Sequence, residues 1–392
     1  MSKRVLLHVG TPKTGTSHLQ DVLFRNRRRL VLHGLHYPAH RFDAHFLAAL
    51  DLMRLPWGGL EHEAVGAWDA LAERVRRTPG TTIVSHEILA AASRSQAARA
   101  IESFGDIELH LVLSVRDLGR QIPAEWQENV KHRSVVSYAR FLDMIRDPQR
   151  RGRIPSWFWS VQEIPDIIAR WAPDLPPERV HLVTVPPSGS EADLLWRRFA
   201  EAFGLTGLDL DVGTERVNPS LGVPETALIR RINRSANQVV PPADYRPLVR
   251  ELLAHQTLAQ RTSSPRLALP PDIHDWVAEL AQSWVAELRE RGYAVVGDLD
   301  DLLVGPPAAS YADPDKPRER QVSAAAVEAI RALLVENATL RRDRDRLEGE
   351  LHDARSRVGL RGKVVNRLET SGAGRRALRL YRRARGSSSR SA

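Results

Sequence analysis

The chain has 392 residues, of which 42% are hydrophobic and 27% charged, a balance that can supply the core of a globular protein. It contains no cysteine, which excludes disulfides, thiolate metal sites and cysteine nucleophiles. The formal net charge is +9, but residues 355–392 carry twelve Lys and Arg and one acidic residue, so this tail contributes +11 and the rest of the chain −2. The basic balance therefore predicts no nucleic-acid-binding core.

The N-terminus begins Met-Ser-Lys-Arg-Val-Leu-Leu-His, and its apolar run is too short for a signal peptide. The sequence has no stretch of 18 or more apolar residues, so no membrane span is predicted. We therefore expect a cytoplasmic protein.

Strand-like and helix-like segments alternate over the first two hundred residues. Strands are predicted at 4–9, 81–85, 107–115 and 180–185, and helices at 17–30, 118–145, 163–171 and 191–203. This alternation predicts an α/β fold with a parallel central sheet flanked by helices. His8 lies inside the first predicted strand, where we expect a hydrogen-bonded core histidine.

The chain beyond residue 213 is predicted to be helical, without a clear further strand. Segments 224–260 and 271–291 would form helical additions that cover the active-site face of an α/β domain spanning 1–304. Residues 305–323 are rich in Pro, Ala and Asp and predict a linker.

A helix is predicted at 324–354, and its apolar residues recur every three or four positions. They are Ile330, Leu333, Leu334, Leu340, Leu347 and Leu351. This spacing is typical of a coiled coil and predicts a homodimer through 324–351. The alternative interpretation is a single helix packed on the domain. The basic tail, 355–392, is expected to be partly disordered, and it could bind an anionic membrane surface, bind an anionic polymer or only aid solubility.

Residues 10–17 read Gly-Thr-Pro-Lys-Thr-Gly-Thr-Ser and lie between the first predicted strand and helix. Such a turn directs backbone N–H groups into one volume at a helix N-terminus, which makes an anion site. Thr14, Thr16 and Ser17 add hydroxyl donors, and Lys13 adds a mobile positive charge. A nucleoside-triphosphatase P-loop would have its lysine where Thr16 stands, so the segment predicts phosphate binding by a different loop.

The stretch Pro-Lys-Thr-Gly-Thr-Ser resembles the 5′-phosphosulfate-binding loop of sulfotransferases that use 3′-phosphoadenosine-5′-phosphosulfate (PAPS). The resemblance implies a P-loop-like fold, PAPS as donor, 3′,5′-adenosine bisphosphate as product and no metal. It also implies that Lys13 contacts the oxygen between phosphate and sulfate. The backbone from Thr14 and Gly15 onward, with Thr16 and Ser17, would hold the 5′-phosphate.

The third predicted strand ends in Arg116-Asp117, at the sheet edge where α/β proteins bind ligands. An arginine can donate two N–H groups to one phosphate. The sulfotransferase signature has such an arginine and, eight residues later, a serine, both on the 3′-phosphate. This chain has Ala124 at the second position. Arg116 is therefore assigned to the 3′-phosphate, and Gln127 and Arg120 are candidates to replace the serine.

The second predicted strand ends in Ser85-His86-Glu87, and an acceptor hydroxyl needs a base to take its proton. Relatives that the chain resembles use a histidine or a glutamate in this region. We favour Glu87 as the base and keep His86 as the alternative.

The resemblance covers about 220 residues and implies sulfuryl transfer to a hydroxyl or amine of a carbohydrate, glycolipid or other metabolite. Two other functions stay open. One is a kinase for a small metabolite, which would need ATP and Mg²⁺. The other is a catalytically silent module that binds a nucleotide or polysaccharide, an alternative that the absent serine keeps open.

Overall fold

The structure, a computed structural model, describes residues 3–213 and 220–370. The chain forms two compact units, of which the first ends at Glu328 and the second begins at Ala329. The basic tail predicted from residue 355 lies outside the described residues beyond Thr370.

A six-stranded, all-parallel sheet forms the centre of the first unit. Its strands are β1 (Arg4–His8), β2 (Leu35–His36), β3 (Thr81–Ser85), β4 (Glu108–Val115), β5 (Val180–Thr184) and β6 (Ala294–Val296), in the order β2-β3-β1-β4-β5-β6. The predicted α/β class with a parallel central sheet is confirmed. Beyond residue 213, where the sequence shows no clear strand, the structure adds β6, which pairs with β5. Three residues are too few to show a strand-like pattern.

The helices flank the sheet. They are α1 (Thr16–Val31), α2 (Ala44–Met53), α3 (Leu60–Glu63), α4 (Ala67–Arg77), α5 (Arg94–Glu102), α6 (Leu118–Lys131), α7 (Tyr138–Arg146), α8 (Arg153–Gln162), α9 (Ile164–Trp171), α10 (Leu194–Ala202), α11 (Val223–Ala236), α12 (Pro242–Tyr245), α13 (His274–Arg291) and α14 (Glu319–Thr370). A π-helical stretch, Arg246–Thr257, follows α12.

The helix predicted over 118–145 is two helices, α6 and α7. Arg133 has a left-handed φ of 74°, which stops the first helix. The Ser137 side chain then accepts from Arg140 N–H and caps the second. Residues 118–145 are mostly helical, as predicted, but an apolar pattern does not show a turn of this kind.

The strand order reverses at β1. β1 lies between β3 and β4, so the chain builds one side of the sheet first and then crosses to the other. Ligands of open α/β sheets bind at the carboxyl ends of strands where the order reverses. Helices α1 and α10 pack on the sheet through a shared apolar core. Its members include Leu19, Leu23, Phe199, Phe203, Ile83 and Val112.

The segment predicted as a linker is shorter than expected and is attached to the first unit. Asp315 accepts from Tyr138 N–H at 3.1 Å and Ala139 N–H at 2.9 Å, at the start of α7, and pairs with Arg230 of α11. Helix α14 begins at Glu319, five residues before the predicted helix start. Only residues 305–318 of the predicted linker therefore lie outside this helix.

The second unit presents the apolar residues of the predicted coiled coil to solvent. Ile330, Leu334, Leu340, Leu347 and Leu351 are each more than half exposed. A partner helix would cover such a face, and the homodimer stays a prediction. In the part of the chain that the structure describes, no helix combines the length and the apolar character needed to cross a bilayer.

Candidate functional site

A buried polar network supports the loop that follows β1. His8 Nδ1 lies 2.8 Å from Ser85 Oγ, and Nε2 lies 2.9 Å from Ser114 Oγ. Ser114 Oγ is also 2.6 Å from Thr14 Oγ1, which donates to Thr11 O at 2.6 Å. Burial lowers the pKa of His8 to about 4, so the ring is neutral. His8 is a core histidine, as predicted, and the Thr14 hydroxyl is engaged inside the loop.

The N-terminus of α1 offers backbone donors. Gly15 has φ 87°, and a Cβ there would lie 2.7 Å from Leu195 Cδ2, so both the conformation and the space favour glycine. Among the described residues, the N–H groups of Gly15, Thr16 and Ser17 have no backbone acceptor, and no side chain caps the helix. Unpaired N–H groups together with the helix dipole form an anion site.

Arg116 is a largely buried cation with no ion pair among residues 3–213 and 220–370. Its Nη1 donates to Lys13 O at 3.3 Å, and its Nε is buried without a partner. The neighbouring Asp117 is paired instead with Arg120. Burial, followed by the charge of Arg120, lowers the pKa of Arg116 to about 10, which still leaves it charged. A buried guanidinium with an unused donor is well suited to bind an anion.

Lys13 reaches from the loop to α6, where several cations surround one carboxylate. Lys13 Nζ lies 2.5 Å and Lys131 Nζ 3.1 Å from Glu128 Oε2, while His132 Nε2 and Arg250 Nη2 each lie 3.2 Å from Oε1. Burial acts to raise the pKa of Glu128, but Lys13 and the other basic groups hold it well below its usual value. We call these five residues the Glu128 cluster, and its charge is net positive.

Glu87 lies against the loop from the side of β3. A Cβ on Gly10 would lie only 2.7 Å from Glu87 O. The Glu87 carboxylate accepts from Gln20 Nε2 at 3.2 Å and from the Thr16 hydroxyl. Burial acts to raise the pKa of Glu87, but the hydrogen bonds it accepts act to lower it, and the pKa lies below its usual value. Glu87 is therefore ionised near neutral pH and can accept a proton.

His86 has a different protonation state from Glu87. Burial lowers the pKa of His86, so its ring is neutral. Its Nδ1 accepts from Ile88 N–H at 3.3 Å, which leaves the ring proton on Nε2. The free nitrogen of His86 thus donates, whereas a general base must accept.

The structure brings most of the predicted site residues to one sheet edge, but not Gln127. Its Nε2 donates to Leu221 O at 2.9 Å, and its Oε1 accepts from Leu221 N–H at 3.0 Å. Arg120 is likewise engaged, with Asp117 and with Pro186 O at 2.9 Å. Neither side chain is free to take the place of the serine.

Two residues of the Glu128 cluster, Glu128 and Arg250, carry little or no signal in the sequence. Glu128 is 115 positions from Lys13 and shows one signal, its helical spacing of three from Lys131. Arg250 comes from the π-helical stretch, and no motif marks it.

A cavity of about 370 Å³ lies elsewhere in the first unit, lined in part by Arg261, Ser264 and Arg318. Buried Glu225 pairs with Arg261 at 2.7 Å and accepts from Ser264 Oγ at 2.6 Å. Because this carboxylate already balances Arg261, the sheet edge is the stronger candidate for chemistry.

Glu125, one turn before Glu128 on α6, is predicted to weaken folding at neutral pH. It is 4% exposed, and burial raises its pKa to about 7, with Lys13 acting against the rise. When the pKa of a carboxyl is raised in the folded state, the free energy of unfolding falls as the pH rises from the pKa of the unfolded state toward 7. Glu125→Gln is therefore expected to raise the free energy of unfolding at pH 8 by up to about 3 kcal/mol, with little gain near pH 4.5.

Chemical denaturation of wild type and variant at both pH values measures this difference. Glu128→Gln is the control of opposite sign, because its removal leaves the cations around it unpaired and should destabilise the protein at pH 8. Equal destabilisation by Glu125→Gln at both pH values would contradict the account.

Comparison of the chain with protein-family models, with curated proteins and with solved structures found no match. Any assignment of function therefore depends on the residues and geometry of the site.

Proposed function

We propose that the protein is a sulfotransferase that transfers the sulfuryl group of PAPS to a hydroxyl or amine of an acceptor. One observation carries the proposal: Arg116, buried with an unused donor, lies beside the unpaired N–H groups at the start of α1, with Lys13 in the same loop. PAPS carries a 3′-phosphate and a 5′-phosphosulfate, and so needs two anion sites. The P-loop-like character of the fold is part of this proposal.

The donor would bind through groups that lack partners in the described chain. The backbone N–H groups of Gly15, Thr16 and Ser17, with the Ser17 hydroxyl, hold the 5′-phosphate at the positive end of the helix dipole. Arg116 holds the 3′-phosphate. Thr14 contributes through its backbone only, because its hydroxyl bonds to Thr11 and Ser114.

The transfer itself needs a cation and a base. The acceptor oxygen attacks sulfur as the bond from sulfur to the bridging oxygen breaks, and negative charge builds on that oxygen. Lys13 stabilises the charge at the bridging oxygen, an interaction stronger in the transition state than in the ground state. Glu87 takes the proton of the acceptor hydroxyl. The products are the sulfated acceptor and 3′,5′-adenosine bisphosphate.

Lys13 can leave Glu128 to play this part. Its side chain is 31% exposed, and Glu128 keeps Lys131, His132 and Arg250 as partners when Lys13 turns away. In this proposal the ammonium group of Lys13 pairs with Glu128 before the donor binds.

Calorimetric titration with 3′,5′-adenosine bisphosphate and with ATP–Mg²⁺ tests the proposal. We expect the bisphosphate to bind with a Kd of about a micromolar and ATP–Mg²⁺ not to bind measurably. Binding of ATP–Mg²⁺ without the bisphosphate would instead support a metabolite kinase. If neither binds, the sulfotransferase proposal is rejected.

A further inference from the structure

The Glu128 cluster keeps a net positive charge when Lys13 leaves Glu128 to contact the donor. Lys131, whose side chain is 6% exposed, and Arg250, 25% exposed, then share a single carboxylate. The neighbouring Glu251 is engaged with Arg246 at 3.8 Å and with His255 at 3.3 Å. Burial raises the pKa of Glu125 to about 7, so that carboxyl supplies less than a full negative charge. The cluster therefore lacks one anionic group.

Hydrogen-bond donors in the same cluster also lack acceptors. A lysine ammonium has three N–H donors, and Glu128 is the one acceptor of Lys131 among the described residues. Arg250 Nε is buried without a partner. Buried cationic donors are costly to leave unpaired, so a ligand that brings oxyanion acceptors would bind favourably here.

A row of rings joins the candidate base to this cluster. Phe46 stacks on His86, next to Glu87, at a centroid distance of 5.0 Å and an interplanar angle of 28°. Trp57 meets Phe46 edge-on at 5.5 Å, and His132 meets Trp57 at 5.7 Å. Phe46 and Trp57 are both partly exposed. Partly exposed aromatic side chains pack well on the C–H face of a sugar or another ring-shaped molecule.

We propose that the acceptor binds along this row and is an anionic saccharide, with its carboxylate, phosphate or sulfate group bound to Lys131 and Arg250 and its reacting hydroxyl beside Glu87. This inference rests on the proposed sulfotransferase function and adds the class of acceptor. Unpaired buried donors at one end, a base at the other and rings between them are the observations that carry it.

The experiment compares a neutral disaccharide with the same disaccharide carrying a uronate, a phosphate or a sulfate. Calorimetry measures their affinities with 3′,5′-adenosine bisphosphate present, and the affinity of the bisphosphate itself is measured separately. We expect at least one anionic form to bind about tenfold or more tightly than the neutral form. Which anionic form binds best distinguishes the three oxyanions.

Arg250→Gln and Lys131→Gln are the test variants. Arg246→Gln is the matched control, since Arg246 lies on the same π-helical stretch but is 62% exposed. The preference for the anionic form is expected to fall about tenfold in each test variant and to persist in the control, with bisphosphate affinity unchanged in all three. Thermal unfolding verifies folding, and Arg250→Gln, at a partly exposed position, covers the case in which the buried Lys131 variant does not fold.

Equal affinity for neutral and anionic forms in the wild type, or an unchanged preference in Arg250→Gln, would overturn the inference, as would binding of none of the anionic forms. The proposed function fails separately: if the wild type does not bind the bisphosphate yet shows an anion preference that depends on Arg250, the saccharide site stands and the sulfotransferase does not.

Discussion

Lys13→Met is expected to lower the rate of sulfuryl transfer by about 10²–10³-fold while the affinity for PAPS itself changes only about twofold to threefold. Methionine keeps the length of the side chain and removes the charge that stabilises the bridging oxygen. The bridging oxygen carries little charge in PAPS and gains it only as the bond to sulfur breaks, so the affinity for PAPS depends little on Lys13. Release of label from radiolabelled PAPS measures the rate, with a saccharide acceptor or with water as the acceptor.

Lys316→Met is the matched control, because the Lys316 side chain is 87% exposed and lies 4.0 Å from Asp313. This variant should keep the wild-type rate. If Lys13→Met transfers at the wild-type rate, or if it loses affinity for PAPS as strongly as it loses rate, Lys13 does not act on the transition state.

Glu87→Gln is expected to lower kcat by about 10²–10⁴-fold with an alcohol acceptor. The amide can still bond to Gln20 but cannot accept the proton. With an acidic phenol that is already ionised at the assay pH, no base is needed, so the loss should nearly disappear. Because the pKa of Glu87 is below its usual value, the wild-type rate should stay constant through neutral pH and fall only in acid.

His86→Gln tests the alternative base and is expected to change kcat with the alcohol by less than about tenfold. Its ring donates from Nε2 and packs on Phe46, so its loss would disturb the site without removing a proton acceptor. A large loss in His86→Gln that the phenol rescues, together with an active Glu87→Gln, would make His86 the base.

Much of the sheet could be predicted from the sequence because strands buried on both faces are continuous apolar runs. The strands β1, β3, β4 and β5 each contain at least two adjacent buried apolar residues, and the predictions matched their bounds within a residue. The two-residue β2 and three-residue β6 are recognisable only through the strands they pair with. The convergence of Lys13, Arg116 and Glu87 was predictable too, since parallel strands end at a common edge.

The rest of the site depends on which face of α6 each residue occupies. Gln127 and Glu128 are adjacent in sequence, yet one binds the Leu221 backbone and the other faces Lys13. Consecutive residues on a helix differ by about 100° in direction, and both faces of α6 are buried, so no apolar pattern separates them. The contact of Glu128 with Arg250 spans 122 positions and leaves no local signal.

The central claim is that Arg116 recognises the 3′-phosphate of the donor, and the most direct measurement compares the affinities of 3′,5′-adenosine bisphosphate and adenosine 5′-monophosphate in wild type and in Arg116→Gln. The account predicts that the wild type prefers the bisphosphate by about 10²-fold and that the variant binds both nucleotides with similar, weaker affinity. A wild type that binds the two equally, or a variant that keeps the preference, would contradict it.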